Sequence, residues 1–496
     1  MQPDSGLRSV VERFIAAAVS PAVLDPGEEP LPLIGQNWEI SEWNGRLVLQ
    51  AWDERRNLVR RIVSLSEQRR DRLSLVTERF PKISGELQIA DLAAAGGDEL
   101  RRRTLRVAFR DRFRLMLVRE FPEWRVEDVS VDANLEQSLS PSYARAYLRQ
   151  GLGRGSSTGS FGIAVIAAPP DAADCSAVVA FGLIWLDYLR RREKGISVSR
   201  LLLYVPAQHD RAASFRAALI DAAGISCQLF IYDERDRTGA VDFADVGNVE
   251  STLPPCRGES QPNSQAALPD LPGSVDRVEQ SDGAVSLRVH GLEFGRARGE
   301  RLSCGIGRKR PCSAATLARM ASEIERLRTH DAEDRQHPLY SQCPEGWLEA
   351  QVRANPQILD ASLRRGPIYG QVPVFSGPER GIIDLLAIDD TGRLTVIELK
   401  ATADLQLPFQ ALDYWLRVRK HLTAGDFERL GYFPGIAIRR DAPRILLIAP
   451  ALEFHSTTET MIGALAQNID FTRIGLAVDW RKELRVMFRL RGAERP

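Results

Sequence analysis

At 496 residues, with 44% hydrophobic and 27% charged positions, the chain has a globular composition and is too long for one ordinary core, so two or three domains are expected. Its 66 acidic residues balance 66 basic ones, which excludes a protein that meets a polyanion through its overall charge; any nucleic-acid surface must be a local patch. No run approaches the roughly 18 apolar residues of a membrane span, so no membrane partner is expected. Six cysteines without a CxxC pair read as reduced thiols of a cytoplasmic protein.

In chain order, "RFIAAAVSPAV" follows Glu12 and reads as an amphipathic helix, not a signal peptide. "NGRLVLQAWDERRNLVRRIVSL" alternates like two strands joined at a turn, and residues 1–97 are read as a small β/α extension. "DELRRRTLRVAFRDRFRLMLVRE" (98–120) is an arginine-rich helix. It either tracks phosphates or presents a solvated face with i,i+4 pairs to Asp111 and Glu120. It opens a domain spanning 98–234. From 235 to 282 the chain concentrates Pro, Ser, Gly and Gln ("TLPPCRGESQPNSQAALPDLPGS") and reads as a flexible linker. Residues 283–330 hold "VSLRVHGLEF" and a helix at about 313–329, a small connecting segment. Cys304, Cys312, His337 and Cys343 lack the paired knuckle of a zinc site. Residues 331–496 form the last domain.

The two large domains resemble each other. "FGLIWLDYLRRREK" (181–194) precedes the strand "RLLLYVPA" (200–207), as "FQALDYWLRVRKHL" (409–422) precedes "RILLIAPA" (444–451). Another helix and a strand follow in each, "CQLFIYDE" (227–234) and "RIGLAVDW" (473–480). Upstream, "RLMLVREFPEW" (114–124) takes the place of "WLEAQVRANPQ" (347–357). The shared order indicates duplication of an α-β-β-β-α-β-α-β unit.

Chemistry concentrates in the second copy, at "GIIDLLAIDDTGRLTVIELKA" (381–401). Two apolar runs flank Asp390-Thr391-Gly392, a three-residue hairpin loop with Gly where φ > 0 is wanted. Counting back from that loop places Asp384 opposite Glu398, where Cβ atoms of cross-strand partners lie roughly 4.5–5.5 Å apart. Lys400 projects from the same face and Leu399 from the other. Opposed carboxylates in an apolar strand pair are destabilising unless something neutralises them. A hard cation such as Mg²⁺ takes one or two carboxylates plus water and phosphate oxygens. With only six lysines among the 66 basic residues, a lysine here suits catalysis better than a structural ion pair, for which arginine is the chain's usual choice.

These residues resemble the PD-(D/E)xK nuclease superfamily, whose core is a helix, three strands, a helix and a further strand. The likeness covers about 345–480. Asp384 and "ELK" (Glu398-Leu399-Lys400) form its central motif, and Ile383 stands where many members carry Pro. "EGWLEAQVRANPQIL" looks like the opening helix of NucS-type branches, with Glu349 as its acidic residue, and "QALDY" is similar to the QxxxY signature of RecB-like members. The resemblance implies Asp384, Glu398 and the Leu399 carbonyl as ligands of Mg²⁺, with Mn²⁺ substituting, and Glu349 supporting the metal. Lys400 would position the water, and Gln410 and Tyr414 would support the site. Gln371 on the first strand is a further candidate.

Laying "GIAVIAAPP" (162–170) on "RLTVIELKA" puts Ala167 at Glu398, Pro169 at Lys400 and Gly182 at Gln410, so the first copy is read as degenerate. The fold expected is α/β: two tandem mixed-sheet nuclease-like cores joined by a Pro/Ser/Gly-rich linker, acting as a monomeric pseudo-dimer or a homodimer. The function expected is hydrolysis of DNA, with single-stranded or branched forms included, in repair, restriction or defence. A nuclease-fold binding protein without turnover and an RNA-processing nuclease are the alternatives.

Overall fold

The computed structural model describes residues 4–43, 46–54, 56–79, 83–150, 161–221, 224–245, 251–256, 270–279, 283–376 and 379–493. The chain divides into two compact units, residues 1–213 with 226–241, and residues 214–225 with 242–496. It is mixed α/β, with four sheets among the described residues.

The first unit opens with helix α1 (Asp4–Ala17). Strands β1 (Pro21–Leu24), β2 (Leu31–Pro32), β3 (Trp38–Trp43), β4 (Arg46–Trp52), β5 (Asn57–Gln68), β6 (Arg72–Arg79) and β7 (Ile83–Asp91) follow. They form one antiparallel sheet in the order β2-β1-β7-β6-β5-β4-β3. Every second residue of its strands, including Ile40, Leu49, Leu75 and Ile89, packs with Val11 and Ile15 of α1. This is a complete layer, larger than the small extension expected from sequence. Its outward face is polar along β5 and β6, which thins the apolar signal that marks a strand.

The same unit continues with α2 (Gly97–Glu120), β8 (Trp124–Ser130), β9 (Ala144–Gln150), β10 (Phe161–Ala167), α3 (Val178–Arg192) and β11 (Ser197–Pro206). Helix α4 (Arg211–Ala217) begins in it and continues into residues of the second unit, and strands β12 (Ser226–Tyr232) and β13 (Thr238–Ala240) complete it. Strands β8 to β13 lie in sequence order, with β10, β11 and β12 parallel and the other neighbours antiparallel. Phe109, Phe113 and Leu117 of α2 cover one face; α3 covers the other, where a Cβ on Gly182 would fall 2.7 Å from the Leu203 side chain. The arginines of α2 divide: Arg106 pairs with Glu99, Arg110 with Asp111 and Arg112 with Asp236. The pairing expected at Glu120 does not form, because Glu120 accepts hydrogen bonds from Tyr204 and Thr238.

In the second unit, β14 (Val275–Glu279), β15 (Val285–Val289), β16 (Leu292–Arg298), β17 (Arg301–Cys304) and β18 (Arg310–Pro311) form an antiparallel meander. Helix α5 (Ala314–Leu327), capped by the Ser313 hydroxyl, packs Leu317, Ala321 and Ile324 onto Leu287, Val289 and Phe294. Then come α6 (Pro338–Ser341), α7 (Pro344–Ala354), β19 (Tyr369–Ser376), β20 (Glu379–Ile388), β21 (Leu394–Leu399), α8 (Leu407–Ala424) and α9 (Asp426–Arg429). Strand β22 (Arg444–Pro450), helix α10 (Thr458–Ala464) and strands β23 (Phe471–Leu476) and β24 (Val486–Arg491) end the chain. Strands β19 to β24 lie in sequence order with the same succession of senses as β8 to β13. Leu385, Ile397, Leu399 and Ile448 pack with Trp347, Leu348 and Val352 of α7. Leu386, Ile388, Leu394 and Val396 pack with Val418 and Leu422 of α8. A sheet covered on both faces explains why β20 and β21 read as continuous apolar runs.

Two strands correct the expected linker. Thr238–Ala240 and Val275–Glu279 are edge strands, and their short, polar sequences carry no periodic signal that composition could separate from a linker. Residues 251–256 are packed, with Leu253 in the α8-side core and Ser251 hydrogen-bonded at 2.8 Å to the buried His421 ring. Residues 246–250, 257–269 and 280–282 of that stretch lie outside the described set. Among the described residues no helix is long and apolar enough to cross a membrane.

Candidate active site

The hairpin forms in the register counted from sequence. Asp389 N–H donates to the Arg393 carbonyl (3.0 Å), Gly392 turns at φ 88°, and the ladder runs back through Ile388–Leu394 to Leu385–Ile397. The next position in this register sets Asp384 against Glu398. Asp389 stabilises the loop by accepting from the N–H groups of Thr391 and Arg393, both at 2.9 Å. The register is further locked because a Cβ on Gly392 would fall 2.2 Å from the Ala437 carbonyl oxygen.

At the open end of this hairpin the Leu399 N–H donates to Asp384 Oδ2 at 2.9 Å. Leu399 itself turns into the α7-side core, on the opposite side of the strand from Glu398, as the two-residue period requires. Glu398 is 2% exposed, and its Oε2 is buried with no hydrogen-bond partner among the described residues. Lys400 Nζ stands 3.9 Å from Glu398 Oε1, 3.9 Å from Glu345 Oε1 and 3.7 Å from Asp404 Oδ2. Glu345 and Asp404 are the residues that sequence reading missed. Glu345 lies one helical turn before Glu349 on α7, and Asp404 lies four residues after Lys400, so both spacings were available as signals.

Burial dominates the electrostatics. It pushes the Asp384 carboxyl up to about 6, with Glu349 and Glu345 adding to it and the Leu399 amide and Lys400 opposing it. Burial, and then the charge of Asp384, lift Glu398 well above the usual carboxyl range. For Lys400, burial works against the charge, but Glu398, Glu345, Asp384 and Asp404 outweigh it and raise the ammonium above its ordinary value. The surroundings thus favour the charged form of the lysine, while burial disfavours the charged form of both carboxyls.

The other expected residues are placed unequally. Glu349 is 4% exposed on α7, with Oε1 3.3 Å from Arg353 Nη2; it acts on Asp384 through its charge. Gln410 faces inward from α8 with its Oε1 buried and without a hydrogen-bond partner among the described residues. Tyr414 packs against the α8-side core, with Arg417 5.9 Å above its ring. The side chain of Gln371 lies outside the described set. Among the described residues no three His, Cys, Asp or Glu side chains form a group that could hold a metal ion. The two carboxylates and the Leu399 N–H meet at the open end of the hairpin.

The first sheet allows a residue-by-residue comparison, because its parallel strand pair fixes the alignment. Val165 is opposite Leu202 as Ile397 is opposite Leu446, and Ala168 N–H donates to the Tyr204 carbonyl as Lys400 N–H donates to that of Ile448, both at 2.9 Å. Ile166 and Ala168 thus stand in the places of Glu398 and Lys400. The sequence alignment, which put Ala167 and Pro169 there, was one residue out; "GIAVIAA" has no feature to set the phase. Opposite Ile166 is Arg145, in the place of Asp384. It is 6% exposed, donates to the Ser140 and Asp132 carbonyls and lies 5.8 Å over the Trp185 ring. A fixed cation stands where the second sheet has the carboxylate of Asp384.

Comparison of the chain with protein-family models and with curated proteins returns no match.

Proposed function

We propose that the chain is a metal-dependent nuclease of the PD-(D/E)xK type that hydrolyses DNA phosphodiester bonds at the open end of the β20–β21 hairpin. The observation that carries this reading is the buried Glu398 beside the half-buried Asp384, with a lysine next to them and a Glu398 oxygen that has no partner among the described residues. Leaving two carboxyls in an apolar sheet without a neutralising group costs stability, and a fold tolerates that most readily where function requires it. The α-β-β-β-α-β order around them agrees with the nuclease core.

The donor set fits a hard divalent cation: carboxylate oxygens of Asp384 and Glu398, with the Leu399 carbonyl adjacent, and Glu349 near enough to add negative charge. When bound, Mg²⁺ or Mn²⁺ would polarise the scissile phosphate and make its bound water more acidic. The chain's own residues do the rest. Asp384, held near 6, and Glu398, held above the usual carboxyl range, would have to be ionised to hold the cation, so its affinity should rise with pH through about 6. Lys400, still protonated, orients the attacking water and offsets the charge that develops on the phosphate. Glu345 and Asp404 hold the ammonium in place from two sides. Gln410 on α8, whose amide oxygen is buried without a partner among the described residues, is the residue that would support the site.

One centre of this kind per chain predicts cleavage of one strand at a time. The test is incubation of purified protein with linear, supercoiled and branched DNA, with and without Mg²⁺ or Mn²⁺, beside Asp384→Asn and Glu398→Gln. Nicked plasmid accumulating before linear product, lost in both variants, is the expected result. Undiminished cleavage by both variants, or no cleavage of any substrate with either metal, defeats the reading; cleavage of RNA alone would move the substrate and keep the site.

A further inference from the structure

Residues 214–225 lie between β11 and β12 in the chain but pack with the second unit. They are held there at two places. Ile220 bridges to Leu465 at the end of α10, where the Asp221 N–H donates to the Ala464 carbonyl at 2.8 Å and the Ala466 N–H to that of Leu219 at 2.9 Å. Four residues earlier, Arg216 reaches α8. Its Nε and Nη2 donate to the two carboxylate oxygens of Asp413, at 3.2 and 2.7 Å, and its guanidinium lies 5.5 Å over the Phe409 ring. Arg216 is 5% exposed. A buried ion pair adds little to stability, because the cost of taking both charges from water cancels most of their attraction; its best-attested use is to fix register.

What this pair fixes is α8, and the start of α8 meets the proposed site. Asp404 precedes the helix; its Oδ1 accepts from the Gln406 N–H at 2.8 Å, and its Oδ2 stands 3.7 Å from Lys400 Nζ. Gln410 and Tyr414 flank Asp413 on the same helix. At ~1.5 Å of rise per residue, Asp413 lies about 9 Å along the axis from Leu407, the first helical residue. A helix is stiff over that length, so a shift at Asp413 is carried to its first turn and to Asp404. The Trp415 ring N–H, bonded to the Pro443 carbonyl at 2.7 Å, holds α8 at one point. The two parallel hydrogen bonds from Arg216 supply a second, which stops the helix turning about the first.

We infer that Arg216 is a positioning residue for the Lys400 site: by gripping Asp413 it sets the placement of α8 that holds Asp404 at the ammonium. Its effect on cleavage rests on the nuclease reading of the Asp384–Glu398–Lys400 site; its effect on the surroundings of Lys400 does not. The site in residues 331–496 thereby depends on a segment that is remote from it in sequence and belongs to the plan of the first sheet, where α4 lies between β11 and β12 as α10 lies between β22 and β23. Arg216 acts only through α8, so its loss should slow the chemical step and leave substrate binding as it was.

The experiment replaces the pair in the full-length protein by apolar side chains of similar size, Arg216→Met with Asp413→Leu, beside Arg216→Lys alone. Thermal melts and the carbon-13 methyl signals of the reductively methylated lysines are recorded in EDTA, with the Lys400 signal assigned by its loss in Lys400→Arg; cleavage of linear and supercoiled DNA is then timed with Mg²⁺. The apolar pair should melt at or above the wild-type temperature, yet shift the Lys400 signal toward those of exposed lysines and lower kcat by about ten- to a hundred-fold with KM unchanged. Arg216→Lys, whose ammonium cannot take both carboxylate oxygens in parallel, should fall between. A purely structural role would return activity together with stability. A folded apolar pair that leaves the Lys400 signal and kcat at wild type overturns the inference, and so does Arg216→Lys doing the same where the apolar pair fails to fold. A wild type that cuts no DNA removes the nuclease reading, and the Lys400 signal then decides by itself whether Arg216 places α8.

Discussion

Replacing Asp384 with Asn should stabilise the metal-free protein at neutral pH, and the size of the gain follows from the burial of the carboxyl. Asp384 titrates near 6 where an ordinary aspartate titrates at 3.8. The folded state therefore holds a proton that the unfolded chain has already lost between those values, and the group's contribution to stability falls as pH rises through that window. At 1.36 kcal/mol per pH unit the full penalty is roughly 3 kcal/mol. The site is partly open to solvent, and the new amide has its own burial cost, which together leave an expected gain of about 2 kcal/mol above pH 7. For a unit of this size that is worth about 4–8 °C in melting temperature. Asn keeps an oxygen that can accept from the Leu399 N–H, so geometry is preserved. The assay is a series of thermal melts from pH 4 to 8 in EDTA, repeated with Mg²⁺. Variant and wild type should coincide near pH 4 and separate above 6. Saturating Mg²⁺ should then raise the wild type, by about 2.7 kcal/mol at a hundred times Kd, and leave the variant unmoved. A variant that melts below wild type at pH 8 in EDTA, or that gains as much from Mg²⁺, refutes the reasoning.

Lys400→Ala should act in the opposite sense, lowering metal-free stability by about 1 kcal/mol or more at pH 8 and by less at pH 5, because it strips the cation from Asp384, whose carboxyl is held near 6 and carries its charge at the higher pH; paired melts and cleavage rates check it. Arg145→Leu should cost about 2–4 kcal/mol by leaving the Ser140 and Asp132 carbonyls without their donor. Denaturant unfolding would measure that loss, and cleavage per folded molecule should stay at the wild-type rate. Gly392→Ala should cost more than about 2 kcal/mol, since φ 88° strains any side chain and the new Cβ would strike the Ala437 carbonyl. A melting temperature within a degree or two of wild type would show that the hairpin loop is not what sets the Asp384–Glu398 register.

Much of the site was legible in the sequence because a β-hairpin is a local structure. One glycine at the turn and a period of two residues are enough to place Asp384 opposite Glu398, Lys400 beside them and Leu399 behind, without knowing what packs on the sheet. Helix periodicity did the same for α7 and α8, and the order of elements made the two mixed sheets recognisable as one plan repeated. Tertiary structure alone decided everything that depends on residues meeting across the chain. Glu345 and Asp404 became neighbours of Lys400 only when α7 and the turn before α8 closed on the hairpin end. The phase of "GIAVIAA" came from its hydrogen bonds to β11, and with it the finding that Arg145 fills the place of Asp384. The edge strands at 238–240 and 275–279 exist because a neighbouring strand offers them hydrogen bonds, not because their composition favours extension. The arginines of residues 295–311 are plain in the sequence, but which of them meet, as Arg298 meets Arg301 across β16 and β17, is a property of strand register. Periodicity records which side of an element is buried; it carries no information about which other element does the burying.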